Sequence, residues 1–307
     1  ETTRTSFFSS SVIERLATRI SYLCFTYLSH RHLMDKKVIL LTGASSGIGY
    51  QTAKDLASLG HTVYAVARRL EQMEPLKAYG VLPLRLDITD VEACREVVDD
   101  LIRREGRLDV LINNAGYGLY GAVEDVSLQD ARQVFEVNVF ALSQLTQLVL
   151  PQMRQQGGGR IINLSSIAGR VATPFGAWYH ATKFAVEGLS DALRLELAPH
   201  GIQVVLIEPG GIKTDFGDLT ADELEAVSRG GAYEAETGRM AGLIRRLYHG
   251  GLFSSPEIVS CAIVNAVQSK RPRVRYLVGF GARPLFYLHR LLPARWYDRL
   301  IRWASLR

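Results

Sequence analysis

The sequence predicts an α/β fold: a doubly wound parallel sheet with helices packed on both faces. Three observations carry this reading. Short runs such as KVILLTG (37–43) and IQVVLIEPG (202–210) are apolar throughout rather than alternating, as strands buried on both faces must be. Longer helical patterns separate these runs, which gives the βαβ rhythm of parallel sheets. The first run passes straight into a glycine-rich turn that opens a helix. With 307 residues, 47% hydrophobic and 22% charged, the chain is long enough for one large domain.

The elements follow in order. KVILLTG is β-branched, apolar and closed by glycine, hence a strand; GYQTAKDLASLG (49–60) has helical spacing and stops at Gly60. HTVYAVAR (61–68) and LPLRLDI (82–88) are strands, and VEACREVVDDLIRRE (91–105) is an amphipathic helix. LDVLINNAG (108–116) is a strand ending in glycine. A long helix over 130–153 is expected to stop near Pro151, which lacks an N–H to continue it. GRIINLSS (159–166) is a strand, AWYHATKFAVEGLSDALRLEL (177–197) a helix, and 202–210 the last core strand.

Charge and composition divide the chain further. Residues 1–33 are rich in Ser, Thr and Arg, with no apolar run of membrane-spanning length, and read as a leader or as sequence upstream of a start at Met34. Residues 34–270 are expected to form the main α/β domain, including a small helical segment at 215–255, past the last core strand, where a lid over a bound ligand would lie. Residues 271–307 form a basic, amphipathic helical tail. From Lys270 to Arg307 there are ten Lys/Arg and one acid, whereas residues 38–269 carry a net −7. An acidic body with basic ends is not the footprint of a nucleic-acid-binding domain, so no nucleic-acid partner is expected. In the tail, Leu, Phe, Tyr and Trp interleave with arginines, the composition of a peripheral membrane contact; a tail folded onto its own domain is the alternative. Cys24, Cys94 and Cys261 lie far apart without metal-ligand spacing, so no metal is expected and reduced cysteines of a cytoplasmic protein are.

The turn TGASSGIG brings backbone N–H groups and a helix N-terminus to one place, a cradle for a pyrophosphate. Gly43, Ser45, Ser46, Gly47, Ile48 and Gly49 are its cofactor-binding residues. This is a Rossmann-type dinucleotide site, with G-x-x-x-G-x-G spacing. At the end of the second strand, an Asp or Glu would meet a free ribose hydroxyl; Arg68 and Arg69 stand there instead. Guanidinium groups match a 2′-phosphate, so NADP (NADPH) is expected over NAD.

Five segments in order, TGASSGIG, NNAG (113–116), NLSS (163–166), YHATK (179–183) and EPGGIKT (208–214), resemble the short-chain dehydrogenase/reductase family, most of all its 17β-hydroxysteroid and retinol dehydrogenase-like branch with bacterial relatives. The resemblance implies a catalytic set of Asn138, Ser166, Tyr179 and Lys183. It places Asp87 and Ile88 at the adenine, Asn114, Ala115 and Gly116 along the cofactor cleft, and Pro209, Gly210, Ile212 and Thr214 at the nicotinamide end, with Tyr179 and Lys183 also touching the cofactor. A homodimer or homotetramer formed through the two long helices is implied as well.

Hydride transfer to a carbonyl builds negative charge on oxygen and calls for a proton donor. Tyr179 is that acid/base, Lys183 is expected to lower its pKa, Ser166 to hold the substrate oxygen, and Asn138 to fix a water leading from Lys183 to solvent. His180 lies round the helix from Tyr179 and is read as non-catalytic. Tyr117 and Phe175, with Tyr120, Trp178 and Phe216 nearby, point to a lipophilic alcohol or ketone: steroid-, retinoid- or acyl-like. Ser166, Tyr179, Tyr117 and Phe175 are the substrate residues. The rival readings are a 3-oxoacyl-thioester reductase and a non-catalytic NADP-binding sensor.

Overall fold

Seven parallel strands make one sheet in the order β3-β2-β1-β4-β5-β6-β7. The computed structural model describes residues 35–214 and 216–306, with the side chain of Phe216 outside that set; the reading of residues 1–33 lies outside the described residues. β1 (Val38–Thr42), β2 (Thr62–Ala67), β3 (Leu82–Arg85), β4 (Val110–Asn113), β5 (Gly159–Leu164) and β6 (Ile202–Pro209) are the six expected strands. β7 (Arg275–Val278) is a seventh, paired with β6 beyond the expected domain end at residue 270. Its RYLV is short and sits between arginines and a glycine, too brief a pattern to stand out from the basic tail.

Side chains alternate between two cores. Ile39, Leu41, Ile112 and Ile162 face one side and pack with α1 (Gly47–Ser58) and α8 (Pro256–Gln268). Leu40, Leu111 and Ile161 face the other and pack with α2 (Val91–Glu105) and α4 (Leu142–Gln155). Both faces are covered, which is why the strands read as unbroken apolar runs. α2 is capped at each end: Asp90 accepts from the Ala93 N–H, and Gly106 takes the left-handed conformation after the last turn.

The expected 130–153 helix is built in three pieces: α3 (Leu128–Phe135), a π turn (Glu136–Ala141), and α4. It does not stop near Pro151; α4 runs on to Gln155, because Val149 and Met153 are fully buried on the sheet and hold the last turns in place. Among the described residues, Leu128–Gln155 is the stretch long and apolar enough to cross a membrane by length and composition, and 44% of it is buried inside the fold, as in a core helix. α5 (Ala177–Leu197) carries YHATK. The segment expected to be a lid holds two helices, α6 (Phe216–Val227) and α7 (Glu234–His249), packed on each other; the tail past β7 is α9 (Ala282–Leu291) and α10 (Ala294–Leu306). Cys94 is a free, buried thiol, and Cys24 lies outside the described residues.

The strand order reverses direction between β1 and β4. A crevice opens there at the carboxyl ends of the strands, and the glycine-rich turn and the NNAG segment both lie at it.

Candidate active site

The turn after β1 is shaped by close backbone approach. Gly43 has φ +72°, and a Cβ on it would come within 2.7 Å of the Ala115 Cα. A Cβ on Gly49 would meet the Gly43 carbonyl. Asn114 fastens the turn to the end of β4: its Nδ2 donates to the carbonyls of Thr42 (2.9 Å) and Gly43 (3.1 Å). The N–H groups of Asn114 and Ala115 both reach Thr42 Oγ1 at 3.0 Å. Ser45, Ser46, Gly47 and Ile48 carry the chain from this turn into α1, so backbone N–H groups line a concave cradle that side chains would fill. Thr214, from the loop after β6, lies beside it, its Cγ2 3.2 Å from where a Gly47 Cβ would stand. This arrangement fits a dinucleotide pyrophosphate.

Arg68 and Arg69 are exposed where β2 ends, and Arg69 donates to Ser45 Oγ of the turn at 3.1 Å. Asp87 follows β3 in a tight turn, its Oδ1 accepting from the N–H (3.1 Å) and hydroxyl (2.8 Å) of Thr89, while Ile88 is buried beneath it. Beyond β6, the N–H of Gly210 donates to the Val278 carbonyl at 2.8 Å, and Ile212 bridges to Ser254. The Pro209–Thr214 loop is thus anchored to β7 and to the entry of α8. Among the described residues no His/Cys/Asp/Glu group is placed to hold a metal.

Ser166, Tyr179 and Lys183 come together at the end of β5. Ser166 ends in extended backbone, and its Oγ accepts from the Ala168 N–H (3.1 Å) and donates to the Pro209 carbonyl (3.4 Å). Its one hydroxyl hydrogen can turn instead to the Tyr179 phenol oxygen. Lys183 is buried one turn along α5; its Nζ donates to the Leu164 carbonyl at 2.8 Å and lies 5.8 Å from the centre of the Tyr179 ring. Burial lowers the Lys183 pKa to about 8, against a raising influence from Glu187. Tyr179 departs from expectation: burial pushes its phenol up to about 12, and the hydrogen bond from Ser166 opposes this only in part. The surroundings therefore favour the neutral phenol of Tyr179.

Asn138 sits in the π turn, where the helix is widened by one residue. Its side chain is committed to protein partners. Nδ2 donates to the Tyr117 carbonyl (2.9 Å) and Thr182 Oγ1 (3.1 Å), and Oδ1 accepts from the Tyr117 N–H (3.1 Å). The amide ties the exit of β4 to the helix bearing Tyr179. Gly116 passes between, where a Cβ would lie 2.9 Å from Asn138 Oδ1 and 3.7 Å from Lys183 Nζ.

Aromatic residues surround Tyr179. The Tyr120 ring lies 5.7 Å from that of Tyr179, and Phe175 meets Tyr233 edge-on at 6.0 Å. Phe175 has φ +63°, a left-handed backbone that a bulky residue adopts only under constraint from its surroundings. Tyr117 packs beside Leu119 and Val126 at the same exit of β4. Trp178 turns away, its ring edge-on to Phe135 of α3 at 6.5 Å; Phe216 cannot be placed, its side chain lying outside the described residues. Tyr248 of α7, absent from the sequence reading, is half-buried, and the nearby Tyr179 phenol adds to the effect of burial in raising its pKa. His180 is structural: Nδ1 donates to the Ala168 carbonyl (2.9 Å) and Nε2 accepts from the Thr173 N–H (3.2 Å), pinning the loop between Ser166 and Tyr179.

Comparison with known proteins agrees with this geometry. The family model described as short chain dehydrogenase matches residues 37–224. A probable short-chain type dehydrogenase/reductase of Helicobacter pylori is 38% identical over 267 residues, 87% of this chain and 97% of its own length. The 3-ketodihydrosphingosine reductase of Bacteroides thetaiotaomicron is 37% identical over 254 residues, covering 82% and 91%. A solved short-chain dehydrogenase from Streptomyces avermitilis superposes with a TM-score of 0.73 at 35% identity, covering 88% of this chain and 97% of that one. Relatives at this level come from several oxidoreductase subfamilies, so the resemblance widens from the steroid and retinol branch to the family as a whole. The cofactor is accordingly a nicotinamide dinucleotide, NAD or NADP. The chain belongs to the short-chain dehydrogenase/reductase family and is an oxidoreductase acting between CH–OH and C=O groups.

Proposed function

We propose that this enzyme is an NADP(H)-dependent reductase or dehydrogenase of a lipophilic ketone/alcohol pair, with Tyr179 as the acid/base. The observation that carries the reading is the Tyr179 phenol, bonded by Ser166, backed by buried Lys183 and walled by aromatic rings. When bound, the nicotinamide gives or takes the hydride. In reduction, Ser166 Oγ holds the carbonyl oxygen and Tyr179, neutral at physiological pH, donates its proton as charge develops there. Lys183 holds the nicotinamide ribose and stabilises the phenolate that remains. Asn138 keeps Tyr117 and Thr182, and so the walls of the site, in register.

Arg68 and Arg69, with no acid beside them at the β2 end, favour a 2′-phosphate and hence NADP(H). Tyr117, Tyr120, Phe175 and Tyr248 favour an apolar substrate, and the sphingoid-ketone reductase among the relatives favours a long-chain one. The two-helix lid and tail distinguish this reading from a 3-oxoacyl-thioester reductase, and an intact Asn138, Ser166, Tyr179 and Lys183 set argues against a sensor. A homodimer or homotetramer through α4 and α5 is supported by Phe184 and Leu195, exposed on α5, and by Phe140 just ahead of α4.

The test is NADPH- and NADH-dependent reduction of a panel of steroid, retinal, long-chain and short acyl ketones by wild type and Tyr179→Phe. Tyr179→Phe is expected to lose about 10²- to 10⁴-fold in kcat. Full turnover in that variant would remove Tyr179 from the chemistry.

A further inference from the structure

The tail has two faces with opposite environments. Its inner face is fastened to the catalytic half of the molecule. Phe286 of α9 lies under the Arg170 guanidinium at 5.0 Å, just past the Ser166 turn. Tyr297 of α10 is buried, and its hydroxyl donates to the Ala172 carbonyl at 3.4 Å. α10 also packs on lid helix α7. The tail is therefore the outer layer over both segments that bound the substrate opening: the 170–176 loop with Phe175, and the lid with Tyr248.

Its outer face leaves large apolar side chains in water. Leu291 is 77% exposed, Trp296 61%, Tyr287 56%, Trp303 54% and Leu300 37%. On α10, Trp296, Leu300 and Trp303 follow i, i+4, i+7 spacing and form one stripe. Arg295, Arg299 and Arg302 repeat that spacing one position earlier, so a cationic stripe flanks the aromatic one, with Arg299 5.7 Å from the Trp296 ring. Across α9 and α10 there are five arginines and one acid, Asp298.

We propose that this outer face docks on an anionic phospholipid bilayer and sets the substrate opening at the membrane surface. Tryptophan and tyrosine settle at the headgroup level, leucine reaches the acyl boundary, and guanidinium groups pair with lipid phosphates. A second copy of the chain fits the face poorly, because five arginines would meet five arginines with one aspartate on each side to offset them. The delivery of a membrane-dissolved ketone to Tyr179 rests on the proposed function; the docking itself does not.

The experiment uses the full chain with vesicles of phosphatidylcholine alone or mixed with phosphatidylglycerol, read by co-sedimentation and tryptophan emission. Binding is expected on the mixed vesicles only, with a blue-shifted emission and release by added salt. Arg295→Glu/Arg299→Glu/Arg302→Glu and, separately, Trp296→Ser/Leu300→Ser are expected to weaken binding about tenfold or more. In both variants, turnover of a short water-soluble ketone and the melting temperature should stay close to wild type, within about twofold in rate, as for surface substitutions elsewhere. No binding to the mixed vesicles, or undiminished binding by the charge-reversed variant, overturns the proposal. A dimer abolished by Trp296→Ser/Leu300→Ser, with no vesicle binding, assigns the face to a second copy and overturns it too. Failure of the proposed function is seen separately, as a wild type that binds vesicles yet reduces no ketone.

Discussion

Arg170 and Glu187 meet at 3.4 Å and join the segment that bears Ser166 to the helix that bears Tyr179 and Lys183. Arg170 lies four residues past Ser166, and Glu187 lies one helical turn past Lys183 on the face of α5 that also bears Tyr179. The contact belongs to a buried cluster. Arg170 also reaches Glu208 at 3.4 Å, and Arg275 of β7 bonds Glu187 (3.1 Å), Glu208 (3.0 Å) and Asp191 (2.7 Å). Glu208 directly precedes Pro209, whose carbonyl accepts from Ser166. Burial and the neighbouring Glu187 raise Glu208 to about 7, so near neutrality the Glu208 carboxyl holds its proton about half the time. Protonated, Glu208 hydrogen-bonds the Glu187 side chain.

Glu187 opposes the effect of burial on Lys183, holding more charge on the ammonium than burial alone would allow. Replacing it by Gln removes that influence, so Lys183 should titrate below about 8. The alkaline limb of the kcat/KM profile for ketone reduction should then move to lower pH by about one unit. Glu208 ionises in its place and keeps Arg170 and Arg275 paired, so the fold should survive. Glu187→Asp should restore part of the limb. An alkaline limb unmoved by Glu187→Gln would mean that it reports some group other than Lys183.

Stability against pH follows from Glu208. Its folded pKa of about 7 lies above the ordinary value of 4.5, so the folded state holds the proton more tightly than the unfolded chain does. The contribution is fully present below about 4.5 and is lost as pH rises through about 7. The urea midpoint of wild type should therefore carry a decline over this window that Glu208→Gln lacks, since the amide never ionises. Measured at pH 5 and pH 8, the two proteins should differ little at the lower pH, and the variant should gain on wild type at the higher. Parallel pH profiles would mean that Glu208 titrates normally.

The sheet and the catalytic segments were legible because their signals are local. A strand buried on both faces is an apolar run, and a phosphate turn needs glycines at fixed spacing, so β1 to β6 and the Gly43–Gly49 turn stand in the sequence itself. What escaped depends on pairing across distance. β7 has four residues and gains its meaning only from hydrogen bonds to β6. Pro151 reads as a stop, but burial of Val149 and Met153 outweighs its missing N–H. Trp178 has the composition of a pocket residue and turns to Phe135 instead. The high pKa of Tyr179 could not be foreseen from a lysine four residues on, because burial sets it. Glu187 had a legible signal, an acid four residues past Lys183 on one helical face, while its partners Arg170, Glu208 and Arg275 come from three other segments.

Cofactor choice turns on the end of β2. Arg69 already spans to Ser45 of the phosphate turn at 3.1 Å, and Arg68 stands exposed beside it, so both guanidiniums edge the place where the adenosine ribose would lie. A 2′-phosphate there would draw charge-assisted hydrogen bonds that a plain hydroxyl cannot match. Arg69→Ala should raise KM for NADPH about 10- to 100-fold, the range for losing a hydrogen bond to a charged group, and leave KM for NADH nearly unchanged. Arg68→Ala/Arg69→Ala should go further and bring the two cofactors level, with kcat at saturation preserved because neither residue touches the carbonyl. Equal losses with both cofactors would show that the arginines support the turn rather than read the phosphate. A wild type that uses NADH better than NADPH would end the preference outright.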